Sequence, residues 1–503
     1  MSARNPSRFR IRPDDRLVLP PPAGREVGRP AAWLAAITLL GVALRIPGLG
    51  SDLWLDEILT VVRLVPGSVV SLFTGPETLN NHLLHTLLVR VSVAAFGVEE
   101  WAVRLPALLF GVATIPALYL LARLALRSRE ALFASVILAT SYHHVFFSQN
   151  ARGYTGLLLW TALSTWFLLR ALIDDRWRDW ILYFVTGALA PLTILLGGAV
   201  ALGQMMALPF VALRIRRAGG SPRPAILKAV PFVGAVGMVG LAVLEVVGGE
   251  AFGVVSPGRT WTGGGFWEEL GIGLRSGLGI AGLLVLVVVA APLAVGALRF
   301  ARRRLVYAVY LVAPLAPLGL LAAIGFFMTP RYLLWALPVF AIGLPAAVTG
   351  LGRASRWMGP VLTAAIVAAS ASALPHQYTV PKQASRTSLE WVGERADPGD
   401  RVVAIAFARW CTRFYAPRTG LDDRNRVMEA TSVDELKRAE HGAGERAIWL
   451  LTTYPPSLVA RPRLLERIER CYRPVKQFPA TIHRMEITVW RGSGECGPPP
   501  VEH

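Results

Sequence analysis

Long apolar segments recur along the first three-quarters of the chain, and they constrain the fold more than any other feature. A bilayer core needs about 20 apolar residues per helix, and segments of roughly that length recur between residues 31 and 374. Of the 503 residues, 53% are hydrophobic and only 17% are charged, which is a composition typical of membrane proteins. We therefore predict an α-helical polytopic membrane protein.

The basic residues predict the orientation of these segments. The net charge of +19 arises largely from arginines in short segments between apolar runs, which are typical of cytoplasmic loops, so the charge does not indicate nucleic-acid binding. The run 83–96 is short and carries Arg90, and we expect it to lie in the outer interface. The other runs predict about 11 spans, near 31–49, 103–123, 130–147, 153–172, 180–195, 197–213, 226–247, 276–298, 305–325, 332–350 and 357–374.

This topology divides the chain into four parts. Residues 1–30 hold seven arginines and are predicted to be a disordered, basic cytoplasmic tail. Residues 31–375 form the transmembrane domain of a multi-pass protein of the plasma membrane. Residues 376–492 follow an odd number of spans and are expected to form an extracytoplasmic domain, and 493–503 a disordered tail.

The pattern of the extracytoplasmic part predicts a small α/β domain with a mostly parallel sheet. Strands are expected at 401–407 and 447–451 and, at the sheet edge, 482–490. Helices are expected at 388–395, after the capping box Ser432–Glu435, and at 457–471. Cys411, Cys471 and Cys496 allow one internal disulfide with one thiol left over, or three unpaired thiols.

An acidic pair follows the first span directly, in the stretch Ser51–Glu57. Carboxylates beside a bilayer are costly unless they face water, cations or a substrate, so Asp56 and Glu57 are candidates for a functional role. Neighbouring residues do not share a helix face, which indicates separate roles for the two acids. The alternative is an interfacial loop with a tryptophan anchor and two solvated acids.

Other conspicuous polar residues are predicted to lie on the same outer face. They are Asn81, His82, Arg104, Arg152, Tyr154, Arg331 and Tyr332. Arginine presents a planar set of donors that matches phosphate oxygens, and a nearby carboxylate could take a proton from an attacking hydroxyl. Together these groups favour transfer from a lipid phosphate to a hydroxyl. Taken singly, the arginines could also be interfacial anchors, or in one case the start of a helix.

Five motifs in order resemble those of the polytopic GT-C glycosyltransferases, specifically glycosyltransferase family 39, which includes protein O-mannosyltransferases and lipid A aminoarabinose transferases. The motifs are Trp54–Glu57, Asn81-His82, Arg104–Pro106, Ser148–Tyr154 and Pro330–Leu334, the last with Pro338 after it. The resemblance is firmest from about residue 40 to 175. Two leucines stand where many relatives carry paired prolines after the histidine.

The resemblance implies an inverting transfer of a sugar from a polyprenyl phosphate at an extracytoplasmic site. It implies Asp56 as the base or the acid that positions the acceptor, with Glu57 in support. The phosphate would be bound by Arg104, Arg152 and Arg331. The first outer loop carries no Asp-x-Asp motif, so a metal cofactor is not supported.

The sequence therefore predicts a membrane glycosyltransferase of the cell envelope. Its donor would be a polyprenyl-phosphate sugar, and its acceptor a hydroxyl of a glycan, a lipid or a protein. One alternative is a flippase or transporter of lipid-linked glycans, which predicts charges or broken helices deep in several spans. Another is a non-catalytic assembly protein, which would tolerate loss of Asp56.

Overall fold

The computed structural model describes residues 29–493 except 75–81, 218–220, 248–263, 324–328, 353–356, 425, 442 and 445. Most of the predicted tails 1–30 and 493–503 lies outside these residues, as does Asn81, but Pro30 begins the first helix and Ser493 ends the last strand. The chain divides into two compact units. The first contains residues 1–47, 68–92 and 104–374, and the second contains 48–67, 93–103 and 375–503.

The first unit is built of helices. Most of it comes from α1 (Pro30–Ala43), α3 (Ser71–Thr74), α4 (Leu83–Phe96), α5 (Glu100–Arg123), α6 (Ser128–Thr140), α7 (Tyr142–Ser148), α8 (Tyr154–Asp174), α9 (Trp177–Thr193), α10 (Gly197–Arg217), α11 (Arg223–Val247), α12 (Gly264–Arg303), α13 (Leu305–Val312), α14 (Ala316–Ala323), α15 (Ala336–Leu351) and α16 (Met358–Thr379). A short helix, α2 (Leu55–Leu59), belongs to the second unit. Helix α12 is broken at Gly279, whose φ is 62°.

Every predicted span coincides with one of these helices or with a broken pair. Seven described segments are long and apolar enough to cross a membrane, and the pair α6–α7, bent by 59°, would make eight. Helix α1 and the broken helix 305–320 are apolar but shorter. The expected count of about 11 spans is therefore not reached on length and composition, because several predicted spans are short or interrupted helices. Helix α4 has the bounds predicted for the interfacial run.

Small residues let the long helices of this unit approach closely. A Cβ on Gly296 of α12 would lie 2.1 Å from the carbonyl oxygen of Ala347 in α15, and a Cβ on Gly350 would lie 2.0 Å from that of Gly296. No side chain fits between the two backbones at this crossing. Helices α12 and α15 are therefore held together by backbone contact as well as by side-chain packing.

The second unit contains a five-stranded sheet in the order β2-β1-β3-β5-β4. The strands are β1 (Arg401–Ile405), β2 (Arg426–Ala430), β3 (Ala447–Thr453), β4 (Arg473–Phe478) and β5 (Ile487–Ser493). The helices are α17 (Ser385–Gly393), α18 (Ala408–Tyr415), α19 (Leu421–Arg424), α20 (Val433–Glu440), α21 (Pro455–Val459) and α22 (Pro462–Cys471). Strand β1 is buried throughout and lies parallel to β2 and β3.

Two features of this sheet differ from the prediction. Strand β5 pairs antiparallel with both β3 and β4, so it is an inner strand and the sheet is mixed rather than mostly parallel. The edge strands are β2 and β4, and neither was predicted. The sequence of β4, Arg-Pro-Val-Lys-Gln-Phe, gives no strand signal because it is polar and largely exposed. The predicted helix 457–471 is interrupted before Pro462, where the proline begins α22.

Two cysteines of this unit differ in their covalent state. Cys411 is free and buried in α18, and burial raises its pKa to about 11. Cys471 is disulfide-bonded. One thiol is thus left over from a disulfide, which is the first of the two possibilities read from the sequence.

Candidate active site

In the first unit, His82 is fixed by the turn that precedes α8. Its Nδ1 accepts a hydrogen bond of 2.8 Å from the backbone N–H of Gly153, and its ring meets the Tyr154 ring edge to face at 5.9 Å. A Cβ on Gly153 would lie 2.4 Å from the carbonyl oxygen of Thr193 and 2.8 Å from His82 Nδ1. The Arg-Gly-Tyr sequence therefore needs its glycine for a close approach.

His82 is neutral and surrounded by positive charge. Burial lowers its pKa well below the usual value of 6.5, and the charges of Arg152, His85 and Arg331 lower it further. Because Nδ1 accepts the Gly153 N–H, the ring proton is on Nε2, which can donate to an anion. Arg152 and Arg331 thus lie close enough to His82 for their charges to lower its pKa, and we call these three predicted residues the basic pocket.

The other residues predicted for this unit are placed as follows. Tyr154 is buried at the start of α8, against His82. Tyr332 packs with the apolar cluster of Phe266 and Leu318. Arg104 is fully buried in α5.

Arg331 lies in a short 3₁₀ helix, Pro330–Trp335, which follows an extended residue. The proline at its first position favours this start, since its missing N–H would have no partner there. Arg331 Nε donates to Thr329 Oγ1 at 3.2 Å, which orients the guanidinium. Arg152 is nine-tenths buried in the turn before α8. Local backbone structure therefore holds both arginines of the basic pocket.

In the second unit, Asp56 and Glu57 lie in the first turn of α2, and the structure gives them different environments. The Glu57 carboxylate is buried and accepts the backbone N–H of Trp54 at 3.2 Å, so it caps the helix. Asp56 is only half-buried. Asp56 is thus the more accessible acid of the pair.

The segment that carries Asp56 is bound by side chains of the C-terminal residues in the same unit. The backbone N–H of Leu53 donates to the Tyr415 hydroxyl at 2.9 Å, and that of Leu55 donates to Gln383 Oε1 at 2.8 Å. Gln383 in turn donates to Thr453 Oγ1 at 2.8 Å, at the end of β3. These bonds fix the backbone on both sides of Trp54.

A second acid of the same stretch, Asp52, anchors the segment through charge. Its carboxylate is nearly buried, accepts the backbone N–H of Thr387 at 2.9 Å, and lies 3.4 Å from Arg386. Arg386 also pairs with Glu100 at 3.0 Å, and Glu100 accepts the Tyr415 hydroxyl at 3.1 Å. We call Asp52, Glu100, Arg386 and Tyr415 the anchor network.

The anchor network was not predicted from the sequence. Asp52 lies in the same acidic stretch as Asp56. Its charge is the only sequence feature that could have indicated a role for it. Arg386 and Tyr415 lie in the C-terminal part with no distinguishing motif. Within the described residues, no three histidine, cysteine or acidic side chains form a group that could hold a metal ion.

Comparisons with known proteins concern the family and the fold of the chain. A family model described as dolichyl-phosphate-mannose-protein mannosyltransferase matches residues 81–237, which include His82, Arg104 and Arg152. The match covers less than half of the chain. A sequence search of curated proteins finds no match.

Solved structures match most of the chain. ArnT from Cupriavidus metallidurans bound to undecaprenyl phosphate superposes with a TM-score of 0.55 at 14% identity, over 93% of this chain and 100% of that one. Its apo form gives 0.53 at 13%, over 93% and 99%. An Archaeoglobus fulgidus oligosaccharyltransferase tethered to an acceptor peptide gives 0.52 at 12%, over 88% and 72%. At these identities the likeness shows the fold alone, and it confirms the fold that the motif resemblance implies.

Proposed function

We propose that this multi-pass membrane protein transfers a sugar from a polyprenyl phosphate to a hydroxyl outside the cytoplasm. Its GT-C glycosyltransferase fold supports the proposal. The observation that carries the proposal is the basic pocket. It combines two arginines with a histidine whose pKa is lowered by burial and whose Nε2 is free to carry the ring proton, because Nδ1 accepts the Gly153 N–H. A phosphate is the anion that such a set of donors suits.

The basic pocket would bind the donor through its phosphate, with the polyprenyl chain in the bilayer. Arg152 and Arg331 supply two positive charges, and His82 supplies a hydrogen bond without a third charge. As the bond between the sugar and the phosphate breaks, negative charge grows on the leaving oxygen. Fixed donors in a buried site stabilise this charge more strongly than water does.

Asp56 would act as the base. The acceptor oxygen attacks the anomeric carbon, its proton passes to the Asp56 carboxylate, and polyprenyl phosphate leaves with the electrons of the broken bond. Attack opposite the leaving group inverts the anomeric configuration. A positioned base contributes about 10² to 10⁴ in rate. Glu57 would hold the Asp56 helix in shape, since its carboxylate caps that helix.

The disulfide at Cys471 supports placement of the second unit outside the cytoplasm, because disulfides persist in oxidising compartments. The plasma membrane, with the N-terminus in the cytoplasm, is the location we propose. The acceptor would be a component of the cell envelope.

The test is transfer in vitro by purified protein, with radiolabelled polyprenyl-phosphate sugars as donors and a cell-envelope extract as acceptor. Asp56→Asn keeps the shape of the side chain and removes the base. We expect its kcat to fall at least about a hundredfold. The matched control is Asp175→Asn, a half-exposed acid of the first unit that pairs with Lys228, and it should retain full activity.

Other results of this experiment would contradict the proposal in different ways. Equal transfer by wild type and Asp56→Asn would show that Asp56 is not the base. Donor binding without transfer by wild type would favour a transporter of lipid-linked glycans. Absence of both donor binding and transfer would favour an assembly protein.

A further inference from the structure

The second unit contains a charged cleft that the proposed reaction does not use. It has a volume of about 500 Å³ and lies beside the carboxyl ends of the parallel strands β1 and β2, where α/β sheets commonly bind ligands. Its lining residues are Arg409, Met428, Glu429, Thr431, Glu435 and Arg438. Helices α18 and α20 begin beside it, and their N-terminal ends favour negative charge.

The carboxylates of the cleft are already engaged. Glu435 accepts the backbone N–H of Thr431 at 2.6 Å and its hydroxyl at 2.7 Å. These two bonds lower the pKa of Glu435, which keeps it ionised. Glu429 binds Arg413 through both oxygens, in a two-pronged ion pair.

Positive charge remains in excess around the cleft. Three guanidinium groups surround the indole of Trp410, with Arg63 at 4.3 Å, Arg413 at 4.8 Å and Arg409 at 5.0 Å from the ring centre. Burial and the charges of the other two lower the pKa of Arg63, so the three repel one another. Arg438 and Arg409 are the two guanidinium groups that line the cleft itself.

Arg409 belongs both to this cluster and to the cleft. Its Nε is buried and has no hydrogen-bond partner among the described residues. An unsatisfied buried donor is costly, and an anion in the cleft would relieve that cost. Directly after β1, Ala406 has a φ of 52°, a strained conformation that is common near ligand sites.

Arg63 links the cluster to the proposed base. It lies seven residues after Asp56, in a π-helical segment (Thr60–Leu64) that continues α2. Two helical turns span about 10 Å along the axis. An acceptor whose hydroxyl reaches Asp56 can therefore place another part of itself near the cluster.

We propose that this cleft binds an acidic group, a phosphate or a carboxylate, of the acceptor, so that the acceptor is a negatively charged glycan. The inference rests on the proposed function. It adds a recognition site for the acceptor that is separate from the basic pocket for the donor. Discrimination against neutral glycans follows, because they would leave the buried Nε of Arg409 without an anionic acceptor.

The first arm of the test measures binding to the full-length protein by calorimetry. The probes are glucose 6-phosphate, glucuronate and neutral glucose. We expect the two acids to bind and glucose not to bind, and the better acid identifies the group that the cleft prefers. The double variant Arg409→Gln/Arg438→Gln should weaken binding of the acids at least about tenfold. Arg470→Gln, an exposed arginine of α22, is the matched control.

The second arm measures transfer to acidic and neutral fractions of cell-envelope glycan. In the double variant, KM for the acidic acceptor should rise at least about tenfold, with kcat and the donor KM unchanged. Equal binding of glucose and the acids, or an unchanged acceptor KM, would overturn the inference while leaving the transferase intact. Selective binding without any transfer by wild type would instead refute the proposed function and leave the cleft as an anion site.

Discussion

His82 and Asp56 both lie outside the predicted spans, but the chain holds them in different ways. The bond that fixes His82 comes from a backbone N–H of the same unit, 71 residues later. The bonds that fix the Asp56 segment come from the side chains of Tyr415 and Gln383, 362 and 328 residues away. The basic pocket thus depends on backbone packing, which single substitutions rarely change without loss of structure. The acidic segment depends on side chains that can be altered one at a time.

The largest effect should come from the charge of the basic pocket. Replacing Arg152 with Met removes the buried guanidinium that we propose binds the leaving phosphate, and we expect transfer to fall about 10²- to 10³-fold. Arg152→Lys should recover only part of the loss, because it lacks the planar fork. Radiolabelled transfer assays measure both variants. Arg178→Met, an exposed arginine of the same unit, is the control, and an equal loss in it would refute a specific role for Arg152.

Disrupting the close approach of the Gly153 backbone to its neighbours should have the next largest effect. Gly153→Ala places a methyl group against the Thr193 carbonyl and His82, and we expect a cost of about 1–3 kcal/mol, with thermal stability and donor affinity both reduced. Thermal denaturation with and without donor separates the two effects. Gly343→Ala in α15 has no neighbouring heavy atom within 4 Å and should be tolerated. Equal behaviour of the two variants would contradict the close approach.

The anchor network should give a smaller and more selective effect. Arg386→Met leaves Asp52 and Glu100 without their shared cation, so the Asp56 segment loses order. We expect kcat to fall about tenfold with the donor KM unchanged, and Arg386→Lys to restore part of it. The control is Arg395→Met, which removes an exposed pair with Glu394. A rise in donor KM without a change in kcat would assign Arg386 to binding instead.

The smallest effect should be on the pH dependence of folding stability. The pKa of His82 is lower in the folded protein than in the unfolded chain, so the unfolded state binds more protons as pH falls below 6.5. Stability should therefore fall with decreasing pH, by at most about 1.4 kcal/mol per pH unit from this group. His82→Gln should flatten the dependence between pH 5 and 6.5. An unchanged slope would mean that His82 is not buried as a neutral ring.

Charged residues differ in how well their roles can be predicted from the sequence. Arg152 and Arg331 could be selected because a charge beside an apolar run is conspicuous, and the structure places both near His82. Glu57 was equally conspicuous, yet its carboxylate is used as a helix cap. Arg409 and Arg386 were not selected, because arginines in a water-facing domain carry no such signal.

The sequence by itself determined the features that depend on local hydrophobicity and charge. It determined the helices of the membrane part, the bounds of α4 and the two buried strands β1 and β3, because burial in lipid or in a sheet requires continuous apolar side chains. Only the tertiary structure decided the inner position of β5, the anchor network and the cleft. Each of these depends on a choice of partner, in most cases across tens to hundreds of residues, and the free energy of such a contact belongs to the pair rather than to either local sequence.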